Sequence, residues 1–147
     1  MSIVNFASAE MEVVIHATED TAKVLKAIKS ILPIEPEEFV ADSIKGHFGN
    51  EIILLKAILS GKKASDIAHK IIGMMSDEDR LSMYNNFDLF TDDKFIYLRI
   101  SKQNIFEHKI VLEQTDSVKI KFKTIRGFQS KNGLDGYRRM LVKGDID

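Results

Sequence analysis

The stretch VKIKFKTI, residues 118–125, alternates for six residues without a break. Val118, Ile120 and Phe122 fall on one side, and Lys119, Lys121 and Lys123 on the other. Successive side chains of a strand point to opposite faces, so the pattern specifies a strand with one face in a core and one in water. Parallel strands are covered on both faces and read as continuous apolar runs. One-sided burial therefore points to an antiparallel sheet with an open face.

The neighbouring segments fit that frame. KFIYLRIS, residues 94–101, also alternates, with Phe95, Tyr97 and Arg99 opposite Ile96, Leu98 and Ile100. Lys109–Gln114 is expected as a further strand, joined to residues 118–125 by a hairpin turn at Asp116–Ser117. Upstream, Met11–Thr18 is β-branched and bounded by charges, which predicts a strand. Thr18 is the expected cap of a helix with Glu19 and Asp20 in its first turn. Thr21, Leu25, Ile28 and Leu32 recur at helical spacing, Val24 and Ile31 widen the stripe, and Pro33 stops it.

Glu38–Lys45 predicts another strand. Glu51–Leu59 is apolar on both faces except at Lys56, which predicts a central position in the sheet. Ala64–Met75 carries a helical stripe. Ser76 with Asp79 forms a capping box for a short helix to about Tyr84, with a break near Gly73–Ser76. Leu134, Tyr137, Arg138 and Leu141 mark a C-terminal helix. Sequential strands joined by short turns predict an α+β fold, a two-layer sandwich whose largely antiparallel sheet carries helices on one face. The 147 residues are expected to form one domain, residues 1–147.

Composition narrows the function classes. No cysteine is present, which excludes disulfides, thiol catalysis and cysteine-based metal sites and fits a reducing compartment. The N-terminal MSIVNFASAEMEVV lacks a basic and an apolar region, so no signal peptide is expected. A cytoplasmic protein with no membrane contact is the expectation. The net charge of −1 conceals an asymmetry: residues 117–147 hold 8 basic and 3 acidic side chains, a net of +5. A polyanion can dock there, although the overall pI near 6.4 argues against indiscriminate nucleic-acid binding.

No catalytic constellation stands out. GHFGN, residues 46–50, lacks the Gly-Lys-Ser/Thr of a phosphate-binding loop. His16, His47, His69 and His108 share no metal-ligand spacing, and DEDR, residues 77–80, reads as a helix first turn. No cofactor, metal site or enzymatic activity is expected. What survives is a surface. Lys119, Lys121 and Lys123 recur about 6.6–6.8 Å apart by strand rise, close to the spacing of phosphates along a nucleic-acid strand. Arg126, Lys131, Arg138, Arg139 and Lys143 extend the basic patch. Tyr97 and Phe106 are candidates to stack a base, with core packing as the other reading.

Three stretches together resemble a family of small archaeal proteins described as RNA-binding and as predicted exosome-associated subunits. They are VVIHATEDTAKVLKAIKSILP (13–33), GHFGNEIILLKAIL (46–59) and FIYLRISKQNIFEHKIVLEQTDSVKIKFK (95–123). The resemblance implies a fold similar to the 5S-rRNA-binding ribosomal protein. It also implies a role with RNA, with exosome or other RNA-processing proteins as partners. On the family pattern, Gly46, His47, Gly49 and Asn50 match the loop, and Arg99, Lys102 and Gln103 match the strand-end motif.

Two functions follow. The first is a non-catalytic RNA-binding protein that uses those residues with Lys119, Lys121 and Lys123. The alternative is a protein–protein or homodimerisation module, with residues 52–59 or an edge strand at the interface and the lysines serving solubility.

Overall fold

The computed structural model of the protein describes residues 5–45, 49–125 and 135–142. Its elements run β1 (Phe6–Ile15), α1 (Thr21–Ile31), β2 (Val40–Lys45), β3 (Glu51–Ser60), α2 (Lys62–Met74) and α3 (Asp77–Asn85). There follow β4 (Thr91–Asp92), β5 (Phe95–Ser101), α4 (Lys102–Ile105), β6 (Ser117–Thr124) and α5 (Asp135–Arg139). The strands form one six-stranded sheet, ordered β2-β3-β1-β6-β5-β4, and every pairing is antiparallel. The α+β class and the antiparallel sheet are as the alternation specifies.

The alternation also places the core. β1 buries Met11, Val13 and Ile15, β6 buries Val118, Ile120 and Phe122, and β5 buries Ile96, Leu98 and Ile100. These residues meet Val24, Ile28 and Ile31 of α1 and Ile67, Ala68 and Ile71 of α2. Ser65 of α2 is itself buried, and its Oγ accepts from the Phe6 amide at 2.9 Å, fixing where β1 begins. Phe6 packs between Phe122 and Tyr137 in tilted contacts, with ring centroids 5.1 and 5.0 Å away. The Tyr137 hydroxyl donates to Asn5 O at 2.9 Å and accepts from the Ile125 amide at 2.8 Å. One phenol thereby ties α5 to the start of β1 and the end of β6.

Several local expectations are corrected. β1 spans Phe6–Ile15 rather than 11–18, because the chain turns at His16, where Glu19 Oε1 accepts from the His16 amide at 2.9 Å. Asp20, not Thr18, caps α1, its Oδ1 accepting from Ala22 N at 3.0 Å and Lys23 N at 3.3 Å. The capping box at Ser76 is half made. Its Oγ accepts from Asp79 N at 3.0 Å, but Asp79 Oδ2 accepts from Leu112 N at 3.0 Å and is used across the chain. The break between α2 and α3 is present, with Met75 in an extended conformation.

The strand expected over 109–114 does not form as such. Ile110 bridges Met75 and Leu112 bridges Ile100, each singly, and β6 pairs with β1 and β5 instead. Two hydrogen bonds, Ser101 N to Val111 O at 2.8 Å and Glu113 N to Arg99 O at 3.0 Å, hold this segment along β5. β3 is second from the edge, not central. Its one covered face holds Leu55, Ala57 and Leu59, while Ile58 is 70% exposed. The apolar run there matches the open outer side of a β2–β3 ribbon, where all six residues of β2 are exposed.

Lys102 closes the sheet end. Ser101 caps α4, and the next side chain turns inward until only 3% of it is exposed. Its Nζ donates to Val14 O at 2.7 Å and Glu19 Oε1 at 2.9 Å, and pairs with Asp116 Oδ1 at 3.0 Å. An ammonium has three donors, so this one is saturated. It joins β1, the entry to α1 and the β6 turn.

Two outcomes follow for stability. Lys102→Met takes the ammonium from Val14 O, Glu19 and Asp116, leaving Glu19 Oε1 with the His16 amide, and is expected to cost about 3 kcal/mol in urea unfolding with the m-value unchanged. A loss below about 0.5 kcal/mol contradicts the staple role. Tyr137→Phe is expected to cost about 2 kcal/mol at neutral pH, because the partly buried Ile125 amide loses its acceptor and Asn5 O its donor. Burial pushes the Tyr137 phenol above its ordinary 10.0. The neutral phenol is thus favoured in the fold, and its stabilisation is lost as pH rises from 10.0 through the raised value. The gap between wild type and Tyr137→Phe should narrow in that window, measured by chemical unfolding at a series of alkaline pH values.

Candidate nucleic-acid interface

The alternation that buries one face leaves the other to water. On that open face β6 presents Lys119, Lys121 and Lys123, and β5 presents Phe95, Tyr97 and Arg99. Register brings them side by side: Phe95 opposite Lys123, Tyr97 opposite Lys121, and Arg99 opposite Lys119. The Lys121 Nζ lies 4.2 Å from the centre of the Phe95 ring, and the Phe95 and Tyr97 rings are 6.2 Å apart. Among the described residues, Lys119, Lys123 and Arg99 make no ion pair.

The strip is bounded on the β1 side. Glu10 lies opposite Lys121 and Glu12 opposite Lys119. Both carboxylates are shared with Lys56 of β3, at 3.2 and 4.0 Å. Glu10, and then Glu12, hold the Lys56 ammonium above its usual range. Lys56 thus partly neutralises the two carboxylates from the far side, leaving the β6 lysines free for another anion.

On the β5 side, the 3-10 turn Phe87–Phe90 rises beside the sheet. Phe87 is buried and anchors it, while Leu89 is 83% exposed. Two adjoining grooves of about 510 and 460 Å³ run over this surface and share Leu89, Tyr97, Arg99 and Gln114. Tyr97 is 38% exposed and Phe106 is 42% exposed, so neither is a core residue. Phe106 lies outside these grooves, beside Lys23 and Lys26 of α1.

The ten expected site residues separate. Arg99, Lys119, Lys121 and Lys123 are brought together. Gly49, with φ +82°, and Asn50 are exposed at the tip of the β2–β3 ribbon. That tip is roughly 20 Å from the lysine row, since Lys56, level with Lys119 across Glu12, lies six positions along the chain from Asn50. Gly46 and His47 lie outside the described residues. Gln103 is exposed on α4, outside both grooves. Lys102 is withdrawn into the core and has no free donor for RNA.

Of the wider basic patch, Arg126, Lys131 and Lys143 lie outside the described residues. Arg138 donates to Tyr84 O at 2.9 Å and covers the Tyr84 ring at 4.3 Å, a structural role. Leu89, Gln114 and Lys56 were not among the expected site residues. Leu89 carries no sequence signal, since nothing local separates an exposed leucine from a buried one. Among the described residues no group of His, Asp or Glu is placed to hold a metal ion. Among them, too, no helix is long and apolar enough to cross a membrane.

Comparison with known proteins shows the family and the fold. A family model described as RNA binding matches residues 8–124, a span that runs from within β1 to the end of β6. An RNA-binding protein of Pyrococcus abyssi (strain GE5 / Orsay) is 31% identical over 124 residues, covering 80% of this chain and 80% of that protein. Two solved structures share the fold. A DUF54 protein from Archaeglobus fulgidus has a TM-score of 0.76 at 21% identity, covering 93% of this chain and 99% of that one. Another from Sulfolobus solfataricus has a TM-score of 0.73 at 24% identity, covering 91% and 96%. The family model spans most of the chain, and the chain belongs to the RNA-binding family.

Proposed function

We propose that this chain is a non-catalytic RNA-binding protein of the cytoplasm, accessory to RNA processing or to an exosome-type complex. The observation that carries the reading is the strip of Lys119, Lys121, Lys123 and Arg99 on the open sheet face. Among the described residues its cations make no ion pair, and they follow one another at phosphate-like spacing. Such contacts supply affinity by releasing counterions and carry no sequence information in themselves. The ribbon tip at Gly49 and Asn50 adds a second contact for an RNA long enough to span the distance. A kinship with the 5S-rRNA-binding ribosomal protein is part of the same reading.

The test is RNA affinity across a salt series. The triple variant Lys119→Gln, Lys121→Gln, Lys123→Gln removes charge without setting new carboxylates against Glu10 and Glu12. It is expected to bind roughly tenfold or more weakly at low salt. Its log–log salt slope should be shallower by about 2 for a single strand, at about 0.7 per lost phosphate contact. Failure of the native protein to bind single-stranded or structured RNA at low salt would sink the reading. Co-purification from the native source, with and without nuclease, tests the exosome association.

A second reading is favoured by the β2 edge. Val40 (69% exposed), Ile44 (48%) and Ile58 (70%) lie on the open face of the outer strands. An exposed edge strand with apolar neighbours is a template for pairing, here with β2 of a second copy. Val40→Lys with Ile44→Lys should then shift a dimer to monomer in sedimentation, without loss of fold. A monomeric wild type rules this reading out.

A further inference from the structure

Resting on the RNA-binding reading, we infer that the open-face groove takes single-stranded RNA and seats one base between Leu89 and the Tyr97 ring.

The first observation is Leu89 itself. It is the most exposed large apolar side chain among the described residues, yet its backbone is held in place. The Leu89 amide donates to Asn86 O at 2.8 Å, and the neighbouring Phe87 is buried in the core cluster. A tight turn anchored by one aromatic residue therefore holds an aliphatic side chain out over the sheet. Leu89 and Tyr97 line the same two adjoining grooves, so between them they offer an apolar slot with a ring on one wall.

The second observation is what surrounds the slot. Arg99 and Gln114 line both grooves as well. Gln114 carries two amide donors and an acceptor, the set that reads a base edge. Arg99 offers a planar fork suited to phosphate oxygens. Tyr97 stands opposite Lys121 in register, and Arg99 opposite Lys119. A base on Tyr97 thus has cationic side chains one strand away, where its backbone would run. On the β6 side of the slot, stacking, positive charge and an edge-reading amide converge on one nucleotide, while Asp79 and Glu113 line the groove on the far side.

The third observation concerns width. The cations occupy β6 and the near end of β5, two strands about 4.8 Å apart. Glu10 and Glu12 bound the strip on one side and Leu89 on the other. A single backbone fits along such a strip. A duplex would bring a second row of phosphates over the two carboxylates or over the leucine. Its bases, already stacked and paired, have no face to offer Tyr97.

The experiment compares a mixed-sequence single-stranded RNA of about twelve nucleotides with a blunt RNA duplex of the same length, by fluorescence anisotropy at fixed salt. The wild type is expected to prefer the single strand by at least about tenfold. Loss of one base–aromatic stack corresponds to about a 5- to 150-fold weakening, which is the expectation for Tyr97→Ala on the single strand. Tyr97→Phe keeps the ring and should stay within about threefold. Leu89→Ser should weaken single-strand binding in the same direction. Neither Tyr97→Ala nor Leu89→Ser should change duplex affinity or the salt slope, because neither removes a charge. Both positions are exposed, and unchanged thermal unfolding confirms that each variant is folded.

If Tyr97→Ala and Leu89→Ser bind single strands as the wild type does while the triple lysine variant does not, the stacking slot is refuted and RNA binding stands. Equal or tighter binding of the duplex by the wild type also refutes it. If no RNA binds the wild type at low salt, both the slot and the function beneath it fall.

Discussion

Among the described residues, helices cover one face of this sheet and leave the other open, and that asymmetry constrains everything else. Side-chain period in a strand is two, so a register slip of one residue along β6 would drive three lysines into the core and expose Val118, Ile120 and Phe122. The same slip in β5 would bury Arg99. The two neighbouring strands are locked by the same rule, which is why the basic and aromatic rows stay aligned across β5 and β6. The candidate interface is thus the unburied half of the pattern that folds the protein. The backbone spacing of its rows is set by the core behind it.

Charge on the open face is arranged rather than merely abundant. Glu10 and Glu12 are one strand from the lysines and would mask them if they had no other partner. Lys56 on β3 occupies the far side of both. Exposed pairs of this kind add little to stability. Their effect here is on the field: negative charge is drawn toward β3, and the uncompensated positive charge is concentrated over β6 and β5. A cationic strip with an acidic margin favours a ligand narrower than the sheet.

The parts of the fold legible in the sequence are those whose cause is local. Alternation in residues 95–100 and 118–123 names strand, face and partner class at once. The helix over 21–31 is equally plain, because its stripe and Pro33 are both local signals. The misplaced features depend on distant neighbours. The apolar run of β3 resembles a central strand because sequence does not reveal that β2 beside it lacks a helix cover. The segment 109–114 has strand-like composition, yet β6 finds better partners in β1 and β5. The capping residue moved from Thr18 to Asp20 because Glu19 turns back to the His16 amide, so the helix starts later.

The candidate site divides along the same line. Lys119, Lys121, Lys123 and Arg99 are assigned by alternation, and the structure gathers them on one face. Lys102 and Arg138 are basic by composition but spent by contact. Lys102 has three acceptors on separate segments, and Arg138 lies over Tyr84. A net of +5 in the last 31 residues therefore overstates the surface available to a polyanion. Leu89 is the opposite case, an apolar residue that composition assigns to the core and the anchored turn holds in solvent. For a protein whose affinity for RNA would come from charge, the residues able to choose among RNAs are the uncharged ones, Leu89, Tyr97 and Gln114. Only the folded sheet brings those three together.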